Sequence, residues 1–204
     1  MLKTDPIQVA IVTFDDFTDL DLILIWDLFN RVHLPEWHVR IVGEAPFHRS
    51  MTGLTVPIHG SIEEVNTAHA VLFTSGKGTR VKIGDEQYLA RFRLDPAKQL
   101  IGSICSGALL LGALGLLRGK RATTYPSAKR ILEGYGVEVV ERPIVIEGNI
   151  ATAGGCLAGQ YLAGWVIERL VGKAISDAVI TSCQPVGEGL SYDTEEEALP
   201  DIAV

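Results

Sequence analysis

With 204 residues, 47% of them hydrophobic and 21% charged, the chain is long enough to bury one sizeable core and reads most simply as a single α/β domain. A formal net charge of -7, with no basic stripe beyond the scattered Arg118, Lys120, Arg121, Lys129 and Arg130, argues against a nucleic-acid surface. Three cysteines, an odd number and far apart, make no disulfide framework, no charged-then-apolar leader precedes the first apolar run, and the longest apolar stretch, around Ala108 to Leu117, is too short to span a bilayer. A reducing cytoplasm and no membrane are therefore expected.

Ile7 to Phe14 is a nearly continuous apolar run of strand length, as expected of a parallel strand covered on both faces. Asp15, Asp16, Thr18 and Asp19 supply cap-type residues before a largely buried helix that reaches about Val32. Asp21 sits among apolar neighbours near that helix's start, where it either complements the helix dipole or faces a functional partner. Trp37 to Val42 reads as a second strand, Thr55 to His59 as a short hairpin arm, and Ala70 to Thr74 as a third parallel strand. That strand runs into the small-residue loop Ser75 to Arg80, whose exposed N–H groups suit an oxyanion or anion site. Asp85 to Phe92 is expected to be helical.

From Lys98 to Leu117 a short β run passes through a turn at Ile104-Cys105-Ser106-Gly107 into an apolar helix. A cysteine there faces the positive end of the helix, a field that favours a thiolate. The spacing Ser103-x-Cys105-x-Gly107 follows the nucleophile-elbow pattern with cysteine in the place of serine. Arg121 to Tyr125 reads as a strand, Pro126 opens a helix, and Val137 to Val140, Ile144 to Ile146 and Asn149 to Thr152 read as short strands. Helices are expected over Leu157 to Val171 and Ala174 to Ser182. The remainder, 188–204, is an acidic tail or an arm against a partner subunit. Cys156 and Cys183 read as core cysteines, and the histidines and cysteines show no metal-ligand spacing.

This alternation gives a doubly wound, mostly parallel sheet with helices on both faces and ligands outside the carboxyl ends of the strands. Three strand ends point there: the loop carrying Asp21, the Ser75-Gly76 loop and the Cys105 elbow. An acid, a donor loop and a thiol make a plausible covalent site.

On Ile104-Cys105-Ser106-Gly107-Ala108, Arg121-Ala122-Thr123-Thr124-Tyr125 and Ile150-Ala151-Thr152-Ala153-Gly154-Gly155, the chain resembles the ThiJ/PfpI superfamily. The resemblance implies a flavodoxin-like three-layer sandwich over residues 1–187, with the cysteine at a nucleophile elbow, as in class I glutamine amidotransferase-like domains. The segment from Ser103 to Thr124, with Leu20-Asp21-Leu22, is similar to isonitrile hydratases, which add water to R–N≡C to give an N-substituted formamide. It is also similar to sensor domains of AraC-type regulators. By that resemblance Cys105 is the nucleophile, Asp21 the acid and base, and Ser106 a group that orients the substrate nitrogen. The loop at Ser75 and Gly76 corresponds to the anion-holding loop, and Tyr125 either packs against the elbow or donates a hydrogen bond into the pocket.

Many members carry a histidine where this chain has Tyr125, so the protease and amidotransferase readings lose their base. Where relatives tend to have Pro-Gly-Gly, it has Thr74-Ser75-Gly76. The resemblance implies no cofactor, a small-molecule substrate and a homodimer. The alternatives are a small-molecule or redox-sensing module and a glyoxalase-like stress protein, the latter usually carrying glutamate at the Asp21 position.

Overall fold

A computed structural model of the chain describes residues 6–192. The first apolar run forms β1 (Ile7–Val12), whose side chains alternate: Val9 and Ile11 enter one core cluster, Ala10 and Val12 a second on the opposite face. A strand apolar on both faces requires cover on both faces. α1 (Asp19–Asn30) follows, burying Leu22, Ile25, Leu28 and Phe29 at helical spacing. Each of these buried side chains contributes about 1.5–3 kcal/mol.

The chain continues through β2 (Trp37–Gly43), β3 (Phe47–Arg49), β4 (Thr55–Pro57), β5 (Gly60–Ser61) and β6 (Ala70–Phe73). Two short helices, α2 (Gly78–Lys82) and α3 (Glu86–Leu89), lead to β7 (Leu100–Ile104), which enters α4 (Ala108–Ala113) through a 3-10 turn at Cys105–Gly107. Then come β8 (Arg121–Ala122), α5 (Lys129–Glu133), β9 (Glu138–Val139), β10 (Ile144–Glu147), β11 (Ile150–Ala153), α6 (Gly159–Val171) and α7 (Lys173–Ser182).

Among the described residues, seven strands form the main sheet in the order β10-β11-β7-β6-β1-β2-β5, parallel throughout except that β10 runs antiparallel to β11. Leu22 and Ile25 of α1, Leu162 and Val166 of α6 and Val179 of α7 pack on one face. Tyr88 of α3, Leu109 and Leu110 of α4 and Leu132 of α5 pack on the other. The result is the expected three-layer flavodoxin-like sandwich, with Cys105 in the strand-to-helix turn after a central strand.

Several boundaries depart from expectation. The loop after β6 is short, because Gly78–Lys82 is already helical. The helix expected over Asp85 to Phe92 shrinks to α3, capped by the Asp85 carboxylate, which accepts from the Tyr88 N–H at 2.9 Å. The expected strand Arg121 to Tyr125 keeps only two residues and pairs with β9 outside the main sheet, because Thr123 and Thr124 turn instead toward β11 and the elbow. Phe47–Arg49, unassigned from the sequence, pairs antiparallel with Thr55–Pro57. Of the acidic tail, residues 193–204 lie outside the described residues. Among the described residues no helix is long and apolar enough to cross a membrane.

Candidate active site

Cys105 sits at φ 49°, in the left-handed region, and is 2% exposed. A non-glycine residue there costs on the order of 1–3 kcal/mol, so its surroundings must hold it in place. Thr124 does so from one side: its Oγ1 donates to the Cys105 carbonyl oxygen at 2.8 Å. Gly107 does so from the other, since a Cβ there would lie 2.7 Å from the carbonyl oxygens of both Phe73 and Thr74. The absent side chain lets the start of the helix close onto the end of β6.

Asp21 lies in the first turn of α1 and is fully buried. It faces the elbow: the Cys105 thiol donates to Asp21 Oδ1 across 3.8 Å, joining residues 84 positions apart. Burial pushes the Asp21 pKa up, offset in part by the nearby polar hydrogens of Cys156, Ser75 and Cys105. Asp21 Oδ2 is buried without a hydrogen-bond partner among the described residues.

The thiol is also driven away from ionisation. Burial first, and then the neighbouring Asp21 and Cys156, push the Cys105 pKa well above the ordinary thiol range. This corrects the expectation of a dipole-stabilised thiolate. α4 is only six residues long, and its end cannot outweigh desolvation beside an acid.

Cys156 corrects a second expectation. Read from the sequence as a core cysteine, it is only partly buried, and its Sγ lies 3.7 Å from Cys105 Sγ. Burial and then Asp21 push its thiol up to about 11. The donor atoms of Asp21, Cys105 and Cys156 all lie within 4.8 Å of one another, a set able to ligate a soft cation. The sequence signal was only that Cys156 lies just past the strand expected over Asn149 to Thr152; the fold then sets that strand beside β7.

The loop after β6 is locked more tightly than a free anion-holding loop. Ser75 Oγ donates to Thr18 Oγ1 at 3.1 Å, and the Thr18 N–H donates to the Ser75 carbonyl at 2.7 Å. The Gly76 N–H is directed at Ser106 Oγ at 3.4 Å and the Lys77 N–H at Met51 Sδ at 3.4 Å, so the expected open donors point at weak acceptors. Gly76 sits at φ 145°, where a Cβ would lie 2.0 Å from the Asp16 carbonyl oxygen. Ser106 Oγ, also bonded by Thr79 Oγ1 at 3.2 Å, is tied to this loop.

A cavity of about 310 Å³ opens over the two sulfurs and is lined also by Ser75, Gly76, Ser106, Tyr125, Met51, Lys77 and Arg80. Tyr125 is 49% exposed at its rim. Lys77 and Arg80 were not singled out from the sequence; both belong to the expected loop, and their charge gave no sign of which way they point. No histidine lines this cavity. His48, the most buried of them, instead faces Asp15, with Nδ1 3.1 Å from Oδ1. A larger cleft of about 550 Å³, between Thr123 and Thr124 and the segment Val139 to Pro143, contains neither sulfur.

The DJ-1/PfpI family model matches residues 7–169, from β1 into α6. The chain belongs to the DJ-1/PfpI family. It is 31% identical to the isonitrile hydratase of Pseudomonas putida over 97% of this chain and 88% of that protein. It is 30% identical to a deglycase of Pyrococcus abyssi over 70% of this chain and 86% of that protein. Among solved structures, a ThiJ/PfpI family protein from Pseudomonas syringae superposes with a TM-score of 0.80 at 25% identity, covering 90% of this chain and 77% of that one. Schizosaccharomyces pombe DJ-1 superposes at 0.74 with 19% identity, covering 88% of this chain and all of that one, which speaks to the fold alone. This DJ-1/PfpI protein thus has enzymes of more than one activity among its relatives.

Proposed function

We propose that this DJ-1/PfpI protein is a cofactor-free, cysteine-dependent hydratase that converts an isonitrile into an N-substituted formamide. The observation that carries the reading is the buried contact of 3.8 Å between Asp21 and the Cys105 thiol in a site with no histidine, together with the near full-length similarity to an isonitrile hydratase. A thiol kept neutral by burial, beside a carboxylate whose basicity burial has raised, suits a reaction in which one proton is passed between them and the substrate.

In this mechanism Asp21 takes the proton of Cys105 as the sulfur bonds to the isonitrile carbon, and returns it to that carbon, giving a thioimidate S–CH=N–R. Asp21 then accepts a proton from water as the water oxygen bonds to the same carbon, and passes it to the nitrogen as the C=N π bond opens, giving S–CH(OH)–NH–R. The C–S bond breaks as the hydroxyl gives its proton through Asp21 to the departing sulfur, which releases the formamide and restores the thiol. The sum is R–N≡C plus water to R–NH–CHO, with no oxidant and no other co-reactant. Ser106 orients the substrate nitrogen, the N–H groups of the Ser75-Gly76 loop exchange their weak acceptors for the substrate, and Tyr125 closes the rim.

The relatives that act as deglycases or glyoxalases support a second reading, a carbonyl-directed enzyme at the same cysteine. Aspartate at position 21 and the lack of a cavity histidine favour hydration. Purified protein incubated with cyclohexyl isocyanide is expected to release the corresponding formamide. Cys105→Ala is expected to abolish release, and Asp21→Asn to slow it about 10²–10⁴-fold. No formamide from several isonitriles, with Cys105 still alkylated when the protein is unfolded, would leave the binding-module reading in its place.

The same reading includes a homodimer in the cytoplasm. Leu20 and Ile23 of α1, Met51 and Leu54 of the hairpin and Leu157 and Tyr161 at the start of α6 are exposed, 42–67% each, around the start of α1. An apolar surface of this kind is suited to a second copy. Light scattering on the purified protein, with Ile23→Asp as the disrupting variant, tests it.

A further inference from the structure

Two thiols from separate strand ends, 51 positions apart in the chain, meet at 3.7 Å over one cavity. The hydration chemistry needs only the first of them. Cys156 is the less buried, opens the 3-10 turn Cys156–Ala158, and follows the Gly154-Gly155 pair. It therefore has room to close on its neighbour toward the bonded distance of about 2.05 Å. The Asp21 carboxyl lies within 4.8 Å of both sulfurs, a base common to the two. Cys183, the remaining thiol, donates to the Ile180 carbonyl oxygen at 3.1 Å at the end of α7.

We propose that Cys105 and Cys156 form a redox-active dithiol that a small hydroperoxide converts to an intramolecular disulfide. In the first step one sulfur attacks the peroxide: an S–O bond forms, the O–O bond breaks, the thiol proton passes through Asp21 to the departing oxygen, and water or an alcohol leaves. In the second step the other sulfur attacks the sulfenic acid, the S–S bond forms, and the hydroxyl leaves as water with the second thiol proton. The pair gives up two electrons and the peroxide accepts them. An external dithiol reverses the change. Access is through the 310 Å³ cavity, which admits a small peroxide to both sulfurs.

The test reads mass and thiol count, so it stands apart from any isonitrile assay, and failure of either reading leaves the other intact. Intact protein is treated with equimolar hydrogen peroxide, unfolded, alkylated and analysed by mass spectrometry. The expected product has lost two hydrogens, leaves one of its three thiols to be alkylated, gives a peptide pair linking Cys105 to Cys156, and reverts with dithiothreitol. Cys156→Ser and Cys105→Ser are each expected to gain one or two oxygens on the remaining cavity cysteine and form no internal link. The proposal is overturned if the unsubstituted protein gains oxygen while Cys156 remains free to alkylate, or if the only disulfides formed contain Cys183 or join two chains. Because the unsubstituted protein alone decides this, a variant that fails to fold does not weaken the test.

Discussion

The hydroxyl of Thr124 donates to the carbonyl oxygen of Cys105 at 2.8 Å, so a segment 19 residues downstream holds the backbone of the elbow. The bond is buried and helps to stabilise a conformation that Cys105 would not adopt by itself. Thr124→Val keeps the shape and removes the donor. A loss of about 1–2 kcal/mol in urea unfolding is expected, with Thr124→Ser restoring most of it. Equal stability of the three proteins would show that other contacts hold the turn.

Asp21 gives the molecule a pH-dependent instability. Its folded pKa is raised above the ordinary 3.8 by burial, so the native state holds a proton that the unfolded chain has already released. Stability is therefore full below about pH 4 and falls as pH rises through the folded pKa. Asp21→Asn cannot ionise and is expected to lack this fall. Thermal unfolding of the two proteins should nearly coincide in acid and separate toward neutrality, with the asparagine variant the more stable. Parallel profiles would mean that the carboxylate is compensated in the fold.

The thiols themselves can be titrated by their ultraviolet absorbance. Between about pH 6 and 9 the native protein is expected to show no thiolate from Cys105, and Cys156 is expected to ionise near pH 11. A thiolate step at or below neutrality that disappears in Cys105→Ala would show that the turn's N–H groups outweigh burial.

Gly76 cannot be replaced cheaply. Its φ of 145° and the Asp16 carbonyl oxygen 2.0 Å from a would-be Cβ oppose any side chain. Gly76→Ala is expected to cost at least about 1–3 kcal/mol and to shift the loop that holds Ser106. Chemical denaturation measures the first effect, and a changed alkylation rate at Cys105 the second.

Within the second core cluster, the Tyr88 hydroxyl is buried with no hydrogen-bond partner among the described residues. Its ring meets Phe92 edge-on at 5.1 Å and has Lys82 Nζ 4.7 Å from its centre, contacts that a phenylalanine keeps. Tyr88→Phe is expected to leave the protein as stable or to stabilise it by about 1 kcal/mol, because it removes a desolvated hydroxyl. A marked fall in melting temperature would point to a bridging water.

The fold was legible in the sequence because its signals are local. An apolar run such as Ile7 to Val12 shows its two-faced burial by composition alone, and the Cys105 turn announces itself by lying between an apolar strand and an apolar helix. Asp21 and Cys105 were both identifiable, each as an oddity in its own segment. Their contact was not, since nothing local relates residues 84 positions apart.

Three further things were decided only by the tertiary structure. Cys156 reads as apolar filling because its neighbours in sequence are apolar, yet the parallel pairing of β11 with β7 carries it to the same edge as Cys105. The proton on Cys105 depends on how deeply it is buried and on which groups lie beside it, quantities that exist only once distant segments have packed. The two-residue β8 follows the same logic, because hydrogen bonds to Thr152 and the elbow take residues whose own β-propensity would have extended the strand. Periodicity and composition determine which segments are strands and helices; long-range packing determines which atoms meet, and therefore which protons can move.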